Sequence, residues 1–455
     1  MTDLLIHGAD LLVTMDDQRR ELRGGWVAVT NGFVTAVGAS GDAQPEAAER
    51  LDASGCLVTP GLINTHHHLY QNLTRALPAM TAAPLFGWLQ SLYPRWARLD
   101  EEGAHVSAWV GLAELARSGC TTSTDHLYLH PRGAGDLLSA EILAAVDLGV
   151  RFHPTRGSMN LSEKDGGLPP DSVVQDHDTI LAESEAQVAR WHDRSRGAMT
   201  RVALAPCSPF SVTRQLLEET ASLAERLDVR LHTHMGENIE DEEYSVARFG
   251  MRCTEYLESV GWCTDRTWVA HCVTPNPDEV LRLGRARVGV AHCPSSNCIL
   301  GSGIAPVVDF RAAGVPVGLG CDGSSSADAG SLWLEARTAM LMGKLRSGPA
   351  AMTARDSLDI ATRGGAACLG RQGELGELSV GSVGDVAVWK LDGPSMAGAI
   401  SDPVEGWLRC GPFSAWHTIV AGRSVVRGGE LQHRGVEEKL AAHRRISERV
   451  QAPAL

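Results

Sequence analysis

Long apolar runs are missing from this chain. Nothing in it approaches the ~20 consecutive apolar residues of a bilayer-spanning helix, which excludes an α-helical membrane protein. Paired cysteines are missing too. The eleven cysteines, an odd number, form no Cys-x-x-Cys pair, and most lie in apolar runs such as 290–293 and 319–321. That is the usage of buried thiols in a reducing compartment, not of a disulfide framework. Residues 1–10 lack a basic stretch followed by an apolar run, so no signal peptide is read and the cytoplasm is the expected location. Clustered positive charge is equally scarce. Lys and Arg are scattered through a chain of net charge −14, and the densest basic stretch, 443–445, reads as a solvated helix face. An acidic surface repels phosphate backbones, so no nucleic-acid partner is expected. No phosphate loop, redox-cofactor motif, internal repeat or low-complexity tract occurs.

What is present suits a large barrel with an appendage. The chain has 455 residues, 44% of them apolar, enough for a sizeable core. Short apolar runs at 4–7, 11–14, 26–30 and 33–37 are broken by Gly, Asp and Asn turns, and strand-like segments return at 382–391 and 416–426. The two flanks are expected to pair into a small β-sandwich (1–58 with 371–430), followed by a helical tail (431–455). Between them, eight candidate strands alternate with helix-like stretches: 57–65, 120–125, 150–155, 201–206, 229–234, 268–272, 288–292 and 315–320. Eight β–α units predict an α/β fold, a (β/α)₈ barrel of the TIM type over 59–370. The long first and third connections predict extended loops over its mouth.

Barrel chemistry sits at the C-terminal ends of the strands, and that is where the polar residues fall. Strand one ends Thr65-His66-His67-His68. Alternation in a strand puts His66 and His68 on one face, a metal-binding pair, and turns His67 away. Strand five ends with His232, Thr233 and His234. His234, nearer the C-terminal end, is the expected third ligand, and His232 reads as a core histidine. Glu237 follows just beyond, placed to carry protons. His271 ends strand six. Asp322 follows strand eight directly and precedes a glycine. Alone, Asp322 serves equally well as a helix N-cap. Beside three imidazoles it reads as a ligand and base, because a metal offsets the cost of burying it. Three imidazoles and a carboxylate suit Zn²⁺, one per subunit, and iron(II) nearly as well. A metal there acidifies bound water to a pKa of about 7. Asp322 can then take its proton, His271 can hold the nucleophile or polarise the substrate, and Glu237 can protonate a ring nitrogen and the leaving amine. Strand four, 201–210, contains no Lys to bridge two metals, which favours one.

These residues resemble the amidohydrolase superfamily. Pro60-Gly61-Leu62-Ile63-Asn64-Thr65-His66-His67-His68 is similar to its first-strand metal motif, and the likeness runs through nearly the whole chain. Position by position, the resemblance implies His66, His68, His234 and Asp322 as ligands of one metal, with Glu237 and His271 handling protons. Within the superfamily the chain resembles 8-oxoguanine deaminases and related triazine hydrolases. The stretches 67–76, 83–89, 124–128, 156–159, 165–171 and 291–297 carry this likeness. It implies hydrolytic deamination of a purine-like heterocycle, 8-oxoguanine to urate and ammonia, by a homo-oligomer. A triazine or pterin substrate on the same metal site is the alternative. A non-catalytic binding or assembly role is disfavoured, because every ligand and proton carrier is present. The chain departs from the pattern with Met235-Gly236-Glu237-Asn238 after strand five and with Ala327, Ala329 and Gly330 after strand eight. Gln71, Trp88, His126, Arg156 and His292 are the expected substrate contacts, with His126 and Arg156 favoured over Tyr128. A flat aromatic and an amide suit a planar ring.

Overall fold

The structure, a computed structural model, describes residues 2–80 and 82–452. Met1 and the last three residues of the expected tail lie outside the described residues. Eight parallel strands close into a barrel: Leu62–Asn64 (β1), Cys120–Leu127 (β2), Arg151–Ser158 (β3), Ala203–Pro206 (β4), Leu231–Met235 (β5), Thr267–His271 (β6), Gly289–His292 (β7) and Val317–Leu319 (β8). Every residue of these strands is buried, the apolar ones such as Ala203–Pro206 and Gly289–His292 and also the largely polar Cys120–Leu127 and Arg151–Ser158.

Intervening helices are punctuated by local chemistry. Asp136 accepts from the Ser139 amide to start Leu137–Leu148, and Gly149, at φ +82°, ends it. Asn276 and Glu279 form a reciprocal capping box at the head of Pro277–Ala286.

Two further sheets lie against the barrel. A four-stranded sheet comes wholly from the N-terminal flank: Thr2–Ala9, Gly25–Thr30, Phe33–Gly38 and Ala47–Asp52. The last of these is a polar, largely exposed segment that carries no strand signal in the sequence. A seven-stranded sheet mixes both flanks, pairing Cys56–Pro60 antiparallel with Val386–Lys390. Leu4, Val27 and Val29 of the first sheet share an apolar cluster with Val58, Val388 and Ile419 of the second. The expected strand 57–65 is thus two. It belongs to the outer sheet up to Pro60 and to the barrel from Leu62. Gly61 makes the corner, because a Cβ there would lie 2.2 Å from the Thr121 side chain.

A buried ion pair joins barrel and sheet. Arg151, opening β3, grips Asp385 through Nε and Nη2 at 3.2 and 3.0 Å. Helix Val436–Gln451 packs back on the barrel, where Gln451 Nε2 donates to the Leu73 carbonyl at 2.7 Å.

Candidate metal centre and active site

The barrel's own ladder places the ligands. The segment after β1 is pinned between its neighbours: Thr65 N–H donates to Leu319 O, His126 N–H to His67 O, and Asp322 N–H to His66 O. His66 and His68 therefore point to one side, as strand alternation requires. Their Nε2 atoms lie 3.3 and 3.4 Å from Asp322 Oδ1, and His68 Nε2 is 3.1 Å from His234 Nε2. His67 joins neither this group nor the cavity beside it.

The surrounding hydrogen bonds fix where the imidazole protons sit. A carbonyl oxygen can only accept. His68 Nδ1, 2.8 Å from His126 O, and His234 Nδ1, 2.8 Å from Cys207 O, must each carry a proton. His232 Nδ1 likewise donates to Trp268 O, which leaves His232 Nε2 as an acceptor for the Nδ1–H of His66. All three ligand imidazoles thus turn a bare Nε2 toward one point. Burial holds the three below their usual pKa, His66 and His234 well below, so none takes a second proton there. Among the described residues His66 Nε2 has no hydrogen-bond partner at all. Three lone pairs and a carboxylate converging on one point repel one another unless a cation lies between them. This is the donor set of a divalent metal such as zinc.

The proton carriers stand around that point. Glu237, directly before the N-cap Asn238 of helix Ile239–Phe249, is buried, and burial raises its pKa to about 7. Its Oε1 lies 3.8 Å from His271 Nε2, which is also 3.7 Å from Asp322 Oδ2. His271 Nδ1 donates to Asn297 Oδ1 at 3.0 Å, fixing the ring. Burial alone would lower the His271 pKa, but the carboxylates of Glu237 and Asp322 outweigh it and raise it. Asp322 is held well below the usual range, the charge on His271 working against the opposing effect of burial. His271 and Asp322 sit at φ +67° and +59°, left-handed conformations that are strained for such residues and typical of functional positions. The N-cap alternative for Asp322 does not hold, because the next helix starts at Leu332 and is capped by Ser331.

Beside these groups lies a cavity with about 30 Å³ of free space, walled by Gln71, Trp88, Tyr93, Tyr128 and Phe210. Helix Leu85–Trp96, on the long loop after β1, roofs it.

The "Amidohydrolase family" model matches residues 57–425. The chain belongs to the amidohydrolase family. It is similar to an 8-oxoguanine deaminase of Pseudomonas aeruginosa, with 46% identity over 92% of this chain and 93% of that one. It is 36% identical to a hydroxydechloroatrazine ethylaminohydrolase of a Pseudomonas species (strain ADP), over 95% and 92%. Among solved structures, a zinc complex of an atrazine chlorohydrolase from Arthrobacter aurescens superposes with a TM-score of 0.93. It is 33% identical and covers 98% of this chain and 100% of its own.

Several expected substrate contacts of this amidohydrolase lie elsewhere. Gln71 and Trp88 do line the cavity. Arg156 does not: its guanidinium is committed to Glu183 and Gln175, both at 2.6 Å, and to His130 at 2.9 Å. His126 stands among the ligands, stacked on His234 at 4.8 Å, and its Nε2–H donates to Ala205 O. It therefore shapes the metal centre rather than the cavity wall. His292 is buried outside the lining, with its pKa lowered to about 3 by burial and the nearby His271. Tyr128, ranked below these in the sequence, is a wall residue, because it lies two positions beyond His126 where β2 has ended. Tyr93 and Phe210 carry no distinguishing sequence signal. His232 proves to be more than a core histidine, since it fixes the His66 tautomer. Ala327 is buried but does not line the cavity.

Proposed function

We propose that this amidohydrolase uses zinc, one per subunit, to deaminate a planar purine-like base, 8-oxoguanine, releasing urate and ammonia. The observation that carries the reaction type is Glu237. It is a buried carboxyl, half protonated near neutral pH, 3.8 Å from His271 and beside the converging ligand atoms. A group that both holds and returns a proton at pH 7 is what amine departure requires. The substrate class is supported by the cavity and by the relative named for 8-oxoguanine. Trp88, Tyr128 and Phe210 offer flat walls, and Gln71 Oε1 is buried with no partner among the described residues, an acceptor for a ring N–H. No Arg or Lys is among the described lining residues, which suits a free base rather than a nucleotide.

A divalent metal held by His66, His68, His234 and Asp322 supplies a nucleophilic water at neutral pH. The protein's own groups handle the protons. Asp322 Oδ1 faces His66 and His68, which leaves Oδ2, 3.2 Å from the Ser326 hydroxyl, to take the proton lost by the attacking water. Glu237 gives its proton to the ring nitrogen next to the amine-bearing carbon as the new C–O bond forms. The proton taken by Asp322 then passes to the amine, which leaves as ammonia when the C–N bond breaks, and the proton lost as the hydroxyl becomes a carbonyl returns to Glu237. His271, fixed by Asn297, steadies the developing oxygen charge between the two carboxyl groups.

The test is product release from 8-oxoguanine, guanine, isoxanthopterin, cytosine and an aminotriazine, on protein of measured zinc and iron content. Ammonia from 8-oxoguanine at a kcat/KM at least tenfold above every other compound is the expected result. Preference for the pterin, or chloride or alkylamine release from substituted triazines, would replace the substrate but keep the reaction centre.

A further inference from the structure

A second cavity lies at the opposite end of the barrel. Its walls come from the N-terminal ends of consecutive strands: His153 in β3, Arg201 before β4, Arg230 before β5 and Arg266 before β6, joined by Arg194 and Asp228. It encloses about 240 Å³. In a chain of net charge −14, four guanidiniums gather there around one lining carboxylate. Two are already matched: Arg266 pairs with Asp228 at 3.0 Å and Arg201 with Glu374 at 3.2 Å. Arg194 and Arg230 pair with no carboxylate among the described residues.

Arg230 is the decisive case. Its guanidinium lies over the Trp268 ring at 5.9 Å, its Nε is buried, and it makes no side-chain hydrogen bond among the described residues. A Cβ at Gly370, a lining position with φ +64°, would lie 2.8 Å from Arg230 Nη1, so glycine leaves room for the guanidinium. His153 supplies an independent sign. It is 1% exposed, lines the cavity, and has both ring nitrogens without partners. A largely buried cation without a counter-charge is costly, as is a buried imidazole with two orphaned nitrogens, and one ligand offsets both costs.

We propose that this cavity binds a small oxyanion, held by the guanidiniums of Arg230 and Arg194 with His153 donating from its ring N–H. Guanidiniums match phosphate and carboxylate oxygens in a fork geometry that this wall presents from several sides. The site faces away from the catalytic mouth, so occupancy is read as stability and not as competition with substrate.

The experiment is calorimetric titration of the full-length protein with inorganic phosphate, with citrate in a second arm, at constant ionic strength, alongside thermal melts. The expected result is saturable binding and a rise in Tm. Arg230→Gln should lose the binding, and Arg194→Gln, an exposed position that leaves the fold intact, should weaken it about tenfold. The kcat/KM of either variant should match the unsubstituted enzyme. Tighter binding of citrate than phosphate would identify the ligand as a polycarboxylate. Absence of saturable heat from both anions, or an unchanged affinity in Arg194→Gln and Arg230→Gln, would overturn the proposal.

Discussion

At the scale of the residue, the active site is organised by who holds which proton. Glu237 is about half protonated at neutral pH because burial disfavours its anion. Glu237→Gln should therefore keep metal and fold but lower kcat/KM by about 10²–10⁴, the usual worth of a positioned proton carrier. Steady-state kinetics with metal analysis checks this, and a rate within threefold of the parent would remove Glu237 from the mechanism. His232 touches no substrate wall, yet it alone accepts the His66 Nδ1–H. His232→Leu strands that proton and frees the ring to turn, so metal affinity should fall by about 10–100-fold. Competition with a chelator measures it, and unchanged affinity would mean that the His66 ring is fixed by the ladder alone. These residues differed in how plainly the sequence showed them. His66 and His68 are legible because strand alternation alone places them on one face, and Asp322 becomes legible once it is set beside the imidazoles of the other strands. His232 is not, since its part depends on meeting a ring 166 positions away. Arg156 misled because an arginine at a strand end suits a clamp and an ion pair equally, and only the fold shows Glu183 beside it.

At the scale of the element, helix Leu85–Trp96 decides access. About 30 Å³ of free space holds a water or two, against roughly 300 Å³ or more in a typical small-molecule pocket. The helix is anchored at its far end, where the buried Trp96 donates from Nε1 to Thr74 Oγ1 at 2.9 Å, while at its start Phe86 N–H reaches Glu240 at 3.3 Å and the Phe86 ring meets Phe210 at 5.1 Å. Trp88 faces the cavity from this helix, and stacking on a flat ring acts on ground state and transition state alike. Trp88→Ala should raise KM by about tenfold with kcat within about threefold, as read from substrate-saturation curves. A loss confined to kcat would show instead that the indole positions the reacting atoms. The barrel strands were readable from short runs alternating with helix-like stretches, whereas the split at Gly61 was not. A corner forced by one threonine across the sheet leaves the local hydrophobic pattern unbroken.

At the scale of the whole molecule, buried polar contacts tie together units far apart in sequence. Arg151 with Asp385 is one, joining the first third of the chain to its last sheet. Glu335 is another. It lies in helix Leu332–Ser347 after β8 and accepts from the Ser295 amide at 3.0 Å, at the start of the helix after β7. Burial raises its pKa from 4.5 to about 8. The Ser295 hydrogen bonds oppose that rise, and the charge of Asp322 adds to it. The folded state therefore keeps a proton that the unfolded chain loses near pH 4.5. Its contribution to stability is complete below that pH and falls by about 1.4 kcal/mol per unit as pH rises toward 8, above which it is gone. Glu335→Gln keeps an oxygen for the Ser295 N–H and removes the titration. The acidic surface weakens both proteins alike at alkaline pH, so the difference between them isolates this one group. Thermal midpoints taken from pH 5.5 to 8.5 should show the variant gaining on the parent up to about pH 8 and levelling beyond it. Parallel curves would mean that Glu335 is already ionised in the native barrel and that its bond to Ser295 carries a full charge.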